Sequence, residues 1–306
     1  MTIRRKKDLM KIPKNNFYPT YRADKGEIIT KKTKINNIGI HSFIIQNLYE
    51  INSQKYKETL QRGLDYILTQ SVDYNGEKMW KWIKDATGDY DFPPDIDDTA
   101  RAIHIIELAR KAELVIPEEY KYIDFEGIIN EVMTKSGVKT FISRKKNSVC
   151  PYVNANVLNA YVMQLKNKKE NWQEDKTLGV LINKLENIIK KGEIKSDYYI
   201  SEPFFYYLIS ENIELFDSKI QKIVKERKVI SKNNLEYAYE SLKKINCDEL
   251  PEYDVPIDFS AYPLYQHKRK NNVFGSDILT ATTCYKAREK KKNRIIDSRM
   301  IPRVRI

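Results

Sequence analysis

Three aspartates lie within four residues, at Asp95, Asp97 and Asp98, directly after Pro93 and Pro94. Carboxyl groups that are crowded in a partly buried site repel one another, and this repulsion raises the pKa of at least one of them. A carboxyl group that keeps its proton near neutral pH can act as a general acid. The spacing therefore indicates a proton-donating site, provided that the fold buries these side chains.

The same residues also suit the beginning of a helix. Asp95 follows Pro94 and is a favourable N-cap, and Asp97 and Asp98 then fall in the first helical turn. The helix dipole stabilises acids there by about 0.3–1 kcal/mol each. Capping alone is thus an alternative explanation, and the dipole favours the charged form. A proton-donating role requires burial and mutual repulsion to outweigh the dipole at one residue.

The segment Pro-Asp-Ile-Asp-Asp-Thr-Ala at residues 94–100 resembles the D-x-D-D-T-A element of squalene–hopene cyclases and class II diterpene cyclases. Upstream, residues 62–70 together with Gly76 and Trp80 are similar to a degenerate Q-W repeat of that superfamily. The resemblance covers residues 62–102, and more weakly 38–290 through helix pairs of suitable length. It implies an isomerase- or lyase-type terpene cyclase in which Asp97 protonates an alkene or epoxide of a linear isoprenoid. Asp95 and Asp98 would support that acid.

The chain also departs from this family. Its members usually carry two barrel domains and several clean Q-W repeats, whereas 306 residues leave room for one domain. A His assists the acid in hopene cyclases, but His104 lies on the same predicted helix as Asp97 and cannot readily reach back. Some bacterial class II cyclases use an Asn, and Asn154 and Asn156 at the start of a later predicted helix are candidates. Capping of that helix is the alternative for both.

A carbocation in an apolar cavity is stabilised by aromatic faces, through cation–π attraction of about 0.5–2 kcal/mol for each ring. The candidates for this lining are Trp82, Tyr161 and Phe205, the last within the run at residues 204–207. Packing in the core at helical spacing is the alternative for each ring. Trp80 is expected to be structural under both interpretations.

A basic patch near the end of the chain is the candidate site for a substrate phosphate. Lys268 and Arg269 precede Ser276, a predicted N-cap, and a helix start can bind an anion. Because a D-D-x-x-D motif is absent from the sequence, we expect no cofactor and no metal for ionisation. The sequence leaves open whether a substrate diphosphate would carry a bound Mg²⁺ ion.

Apolar periodicity near 3.6 residues predicts an all-α chain. Antiparallel helix pairs that each bury one face would form a single α/α barrel, or toroid, over residues 35–306. Residues 1–34, which hold Pro13 and Pro19 among scattered charges, are expected to be an extended basic N-terminal arm. The predicted helices are 38–51, 53–70, 95–113, 118–134, 152–166, 175–191, 202–212, 215–228, 233–245 and 275–290.

Composition limits the location and the partners. Hydrophobic residues make up 41% of the chain, which argues against disorder, and three widely spaced cysteines favour a reducing cytoplasm. No signal peptide or run of about 20 apolar residues is present in the sequence. Residues 1–34 hold 11 Lys or Arg against 3 Asp or Glu, and residues 286–306 hold 9 against 2. These ends could contact an anionic membrane or be solvated tails, and no nucleic-acid motif accompanies them.

Two other functions fit the same features. A helical toroid could bind a lipid or a protein partner without catalysis. An inverting carbohydrase on an (α/α) barrel would need two carboxylates roughly 6.5–9.5 Å apart, for which Asp97 and Glu202 are candidates.

Overall fold

The computed structural model describes residues 18, 20–24, 34–35, 37–84, 92–142, 148–168, 171–192, 194–258, 260–267 and 272–300. About 60% is helix and 10% is strand, so the predicted all-α class is confirmed. The ten α-helices of this part of the chain are α1 Ile38–Asn52, α2 Lys57–Thr69, α3 Ile96–Lys111, α4 Phe125–Val132, α5 Pro151–Lys168, α6 Lys176–Lys191, α7 Glu202–Ser210, α8 Ser218–Glu226, α9 Asn234–Asn246 and α10 Asp277–Met300.

The helices differ in how much of their surface is buried. Every residue of α3 from Ile96 to Ala109 is buried, and most of α5 and α7 is buried as well. In contrast, α6 and α8 bury one face only, with Leu181 and Ile220 among the contact residues. A helix that is apolar on one side lies at the surface, and a helix that is buried all round lies inside.

Six helices contact one another in cyclic order: α1 contacts α3, and the contacts continue through α5, α7, α9 and α10 back to α1. Each of the four other helices contacts at least one member of this set. Helix α2 lies against α1 and α3, α4 and α6 lie against α5, and α8 lies against α6 and α7. One hydrophobic core extends through these contacts, from Tyr18 to Ala287.

Six short strands complete the described part: β1 Thr20–Asp24, β2 Lys34–Ile35, β3 Val72–Tyr74, β4 Glu77–Met79, β5 Pro263–His267 and β6 Asn272–Gly275. An antiparallel sheet has the order β2-β1-β6-β5, with Tyr21 opposite Gly275. Strands β3 and β4 form a hairpin whose turn residues Asn75 and Gly76 have φ values of 53° and 86°. Two consecutive positive φ values suit a tight hairpin, and this is why Asn-Gly is favoured there.

The sheet was not foreseen from the sequence. Residues 20–24 of the predicted arm pair with β6, next to the start of α10. The boundary between an arm at 1–34 and a domain at 35–306 stays a prediction.

One predicted helix is divided. Instead of a helix over 118–134, a short 3₁₀ turn at Glu118–Tyr120 is followed by α4. The Asp124 side chain accepts a hydrogen bond from the Gly127 N–H at 2.9 Å and so caps a new helix. Arg110 donates to the carbonyls of Tyr120 and Lys121, which keeps those oxygens out of a helical ladder.

No helix among the described residues has an apolar stretch long enough to cross a bilayer. The three cysteines are buried and free.

Candidate functional site

Trp80 fixes the backbone at the start of α3. Its carbonyl accepts from the Asp95 N–H at 3.0 Å, and its N–H donates to the Thr99 hydroxyl at 3.1 Å. The fully buried indole donates through Nε1 to the Ile67 carbonyl at 2.7 Å, near the end of α2. Trp80 therefore holds the acidic segment in place.

Asp95 is the N-cap of α3, as predicted. Its side chain accepts from the Asp98 N–H at 2.8 Å, and its carbonyl accepts from the Thr99 hydroxyl at 2.6 Å. Capping does not require burial, yet the exposed fractions of Asp95, Asp97 and Asp98 are only 4%, 8% and 6%. The burial on which the proton-donating interpretation depends is therefore present.

Asp97 has a separate hydrogen-bond partner on each carboxyl oxygen. The Asn156 amide donates to Oδ1 at 2.8 Å, and the Tyr199 hydroxyl lies 2.6 Å from Oδ2. The second amide hydrogen of Asn156 reaches the Tyr199 oxygen at 3.0 Å, so the three side chains form a closed set. Of the two candidate asparagines, Asn156 is the one that contacts the acid.

Asn154 has a structural role. Its side chain accepts from the Val138 N–H at 2.8 Å and donates to the Val138 carbonyl at 3.0 Å. It thereby joins the segment before α5 to the start of that helix.

The Tyr199 hydroxyl also lies 3.1 Å from the Tyr265 hydroxyl. When Asp97 is ionised, Tyr199 donates to it and accepts from Tyr265. When Asp97 is protonated, it donates to Tyr199, and Tyr199 then donates to Tyr265. The same oxygen positions therefore serve both protonation states of the acid.

Burial raises the pKa of all three aspartates, because a charged carboxylate loses its hydration there. Burial and then the Asp97 charge raise the pKa of Asp95 to about 7. For Asp98, burial, the two neighbouring charges and a hydrogen bond to Asp95 raise the pKa well above its usual range. The pKa of Asp97 is also raised by burial, against the lowering effect of Tyr199, Asn156 and Arg101. As a coupled group, the cluster is expected to retain a proton near neutral pH.

Arg101 supplies the positive charge nearest to these acids along α3. Its guanidinium lies over the Phe43 ring, 3.5 Å from the centroid, and donates to Gln46 Oε1 at 2.7 Å. The side chain is 1% exposed. This single buried cation lowers the pKa of Asp97 and Asp98. One guanidinium cannot balance three carboxyl groups, so the pKa values of both aspartates remain raised.

Two of the three predicted aromatic residues lie near the cluster. Trp82 contacts Tyr265, with ring centroids 5.5 Å apart. Phe205 contacts Tyr152 at 5.3 Å, and the Tyr152 ring stacks on that of Tyr199 at 4.9 Å. Tyr161 instead contacts Phe125 and donates to Asp175 at 3.0 Å, between α4 and α6. Its contacts are those of a packing residue.

Glu202 and Ser276 have partners outside the cluster. Glu202 binds Arg227 at 2.8 Å, with 38% of its side chain exposed. The Ser276 hydroxyl accepts from the Leu279 N–H at 3.4 Å at the start of α10, as expected of an N-cap. Lys268 and Arg269 lie outside the described residues.

Sequence reasoning missed Tyr199 and Tyr265. Both lie outside helices, more than 100 residues after Asp97. The chain has 21 tyrosines, and nothing in the local sequence distinguishes these two from the others. The only signal was the aromatic density just before α7, where Tyr198 and Tyr199 precede the run at 204–207.

The described residues contain no group of three His, Cys, Asp or Glu side chains arranged to hold a metal ion. No protein-family model matches the chain, and no curated protein matches it.

Proposed function

We propose that this protein is a class II terpene cyclase-like enzyme that starts the cyclisation of a linear isoprenoid by protonation. The observation that carries the proposal is the Asp97 carboxyl. It is buried among two further acids, with Asn156 on one oxygen and Tyr199 on the other. This arrangement gives a positioned proton donor in a site that is shielded from water.

In the first step, the Asp97 O–H proton is transferred to a carbon of an alkene, and a new C–H bond forms at the expense of the π bond. The adjacent carbon becomes a cation, and a neighbouring double bond attacks it to close a ring. The resulting Asp97 carboxylate is stabilised by donation from Asn156 and Tyr199. Loss of a proton, or capture of water, ends the reaction.

The surroundings of the acid suit a cationic intermediate. The ring centroids of Tyr152, Tyr199 and Phe204 lie 4.9 to 6.3 Å from one another. The rings of Trp82 and Tyr265 adjoin them. Aromatic faces attract a cation without offering a nucleophile that would end the cascade early.

The cyclic order of contacts among six helices supports an α/α toroid. In this arrangement α1, α3, α5, α7, α9 and α10 form the inner ring, and α2, α4, α6 and α8 lie outside. The acidic segment then begins an inner helix. By contrast, the binding of Glu202 to exposed Arg227 gives no support to a carbohydrase with Glu202 as second carboxylate.

The proposal is tested by incubating the purified protein with farnesyl diphosphate, geranylgeranyl diphosphate and free polyenes, followed by mass spectrometry of the extracts. We expect a cyclic product from the wild type and a rate lower by about 100- to 10,000-fold for Asp97→Asn, since the amide has the same shape but no acidic proton. The matched control is Asp73→Asn on the surface hairpin, where the side chain is 74% exposed; it should retain the wild-type rate. Normal turnover by Asp97→Asn, or no cyclic product from the wild type with any of these substrates, would contradict the proposal.

A further inference from the structure

Tyr199 and Tyr265 face each other across an antiparallel pair of chain segments. Two backbone hydrogen bonds, with N···O distances of 3.3 and 2.7 Å, join residues 198–200 to β5, one on each side of the tyrosine pair. The tyrosines are therefore directly opposite one another at a position without backbone bonds of its own, where opposed side chains lie closest. Their ring centroids are 4.6 Å apart. The backbone thus fixes which two hydroxyl groups meet beside the acid.

The Tyr265 hydroxyl has little room to move. The side chain is 3% exposed, and its ring packs against Trp82. A Cβ atom at Gly39 would lie 2.6 Å from the hydroxyl, so the backbone of α1 closes the space next to it. Among the described residues, the hydrogen-bond partner of this hydroxyl is Tyr199, at 3.1 Å. In this part of the chain, Tyr265 therefore reaches the acid through Tyr199.

The Tyr199 oxygen has three hydrogen-bond neighbours. Asp97 Oδ2 lies at 2.6 Å, the Asn156 amide at 3.0 Å and the Tyr265 hydroxyl at 3.1 Å. A phenol offers one O–H donor and two acceptor positions. When Asp97 is ionised, Tyr199 donates to it and accepts from the other two, so each position is used once. Tyr265 completes the arrangement that stabilises the carboxylate.

Departure of the Asp97 proton reverses the direction of this chain. Before the transfer, Asp97 donates to Tyr199, which donates to Tyr265. Afterwards both phenol groups turn towards Asp97, and no tyrosine O–H bond breaks. A hydrogen bond to a carboxylate is roughly twice as strong as one between neutral groups, and a second donor polarises the first. We propose that Tyr265 is a positioning residue which, through Tyr199, stabilises the Asp97 carboxylate as the proton leaves, a role that rests on the proposed function.

The other charged and titratable groups around Asp97 stay the same in the variants that test this role. Asp95, Asp98 and Arg101 lie on the same helix start, and Cys150 directly precedes α5. Helix α1 approaches with Gly39, which carries no charge. A change that follows loss of the Tyr265 hydroxyl is therefore due to that hydroxyl.

Infrared titration of the protonated C=O band tests the proposal without a substrate. The Asp97 contribution is the part of the band that Asp97→Asn removes. In Tyr265→Phe, which keeps the ring, we expect the midpoint of this part to rise by about 0.5 to 1 pH unit, because the ionised form loses the stronger bond. Tyr161→Phe is the matched control. It also removes a hydroxyl from a buried tyrosine bonded to a carboxylate, Asp175 at 3.0 Å, and should leave the midpoint unchanged.

A double variant separates this role from a packing role. In Tyr199→Phe, the Tyr265 hydroxyl has lost its connection to the acid, so Tyr199→Phe/Tyr265→Phe should have the same midpoint as Tyr199→Phe. Gly39→Ala, which displaces the hydroxyl without removing it, should raise the midpoint as Tyr265→Phe does. An unchanged midpoint in Tyr265→Phe, or an equal shift with and without the Tyr199 hydroxyl, would overturn the proposal.

Turnover gives a second readout. With a substrate that the wild type cyclises, Tyr265→Phe should lower kcat by about three- to tenfold and leave KM within about twofold, since the hydroxyl acts on the proton transfer. An unchanged kcat would contradict the role of Tyr265 while leaving Asp97 as the acid. A wild type that forms no cyclic product, together with the shifted midpoint in Tyr265→Phe, would reject the proposed function and leave the connection from Tyr265 to Asp97 in place.

Discussion

At the scale of single residues, the acidic cluster combines a capping role with a loss of hydration. Asp95 caps α3 through the Asp98 N–H, an interaction that favours a charged carboxylate. Yet burial and the Asp97 charge raise the pKa of Asp95 to about 7. Burial therefore prevails over the dipole, and this is the condition that a proton donor at the beginning of a helix must meet.

The pH dependence of stability follows from Asp95. Between about pH 4 and pH 7 the folded protein keeps a proton on this group, while the unfolded chain, with a pKa near 3.8, has lost it. Folding then takes up a proton, so the free energy of unfolding falls as the pH rises through this interval. Asp95→Asn keeps a good N-cap but does not titrate. Between pH 4 and pH 8 we expect the free energy of unfolding of the wild type to fall by up to about 4 kcal/mol relative to that of Asp95→Asn.

Urea unfolding of both proteins across this pH range measures the difference. His41 and His104 act in the opposite direction, because burial lowers their pKa values to about 4 and about 3 and makes the folded state lose stability in acid. Both histidines are present in both proteins, so their effect cancels in the comparison. A difference that stays constant with pH would contradict the raised pKa of Asp95.

The sequence allowed some of these residues to be found and not others. Local sequence rules predict that Asp95 caps a helix and make Asn156 a candidate partner of the acid, because each residue lies near the start of a helix. Tyr199 and Tyr265 reach Asp97 only through tertiary packing, from a loop before α7 and from β5. Local rules carry no information on such long-range contacts.

At the scale of elements, the start of α1 passes very close to the acidic segment. A Cβ atom at Gly39 would lie 2.6 Å from the Tyr265 hydroxyl and 3.2 Å from Asp98 Oδ1. Alanine normally stabilises a helix relative to glycine. At Gly39 we expect the opposite, a loss of about 1–3 kcal/mol, because the Tyr265 hydroxyl, which contacts Tyr199, would have to move.

Gly179 in α6 provides the matched comparison for thermal or chemical unfolding. A Cβ atom there would have no neighbour within 4 Å, so Gly179→Ala should stabilise the protein by about 0.5–1 kcal/mol. Equal effects of the two substitutions would show that α1 does not approach the acidic segment as closely as described.

Helices were easier to predict than strands. The ten predicted helices correspond to α1–α10, since their apolar residues recur over several turns. The helix predicted to end at 290 continues to Met300, through residues too polar to show periodicity. The sheet strands β1, β2, β5 and β6 have two to five residues each, which is too short for an alternating pattern to be recognised.

At the scale of the whole molecule, the first and the last helix are joined by buried polar contacts. Glu50 of α1 binds Lys286 and Lys290 of α10, and Asn47 donates to the Thr283 hydroxyl at 2.9 Å. Lys286 is fully buried. A buried ion pair that loses one partner leaves an uncompensated charge.

We therefore expect Lys286→Met to lower the free energy of unfolding by about 3–5 kcal/mol, as measured in urea. The double variant Glu50→Gln/Lys286→Met should recover part of this loss, because the carboxylate that Lys286 contacts is then replaced by a neutral amide, while Lys290, which also loses its partner, is 32% exposed. Lys292→Met, at a lysine 60% exposed on the same helix, should have little effect. A loss below about 1 kcal/mol for Lys286→Met would indicate that α1 and α10 do not meet in this way.

The proposed mechanism depends on a proton that the acidic cluster holds at neutral pH. Infrared spectroscopy detects it directly, since a protonated carboxyl group has a C=O band separate from that of a carboxylate. We predict that the wild type at pH 7 shows this band, and that it disappears from a variant with asparagine at Asp95, Asp97 and Asp98. Glu211→Gln is the control, because burial also raises the pKa of that glutamate and its band must be subtracted. A wild-type spectrum identical to that of the triple variant would mean that all three aspartates are ionised and would contradict the role of Asp97 as a proton donor.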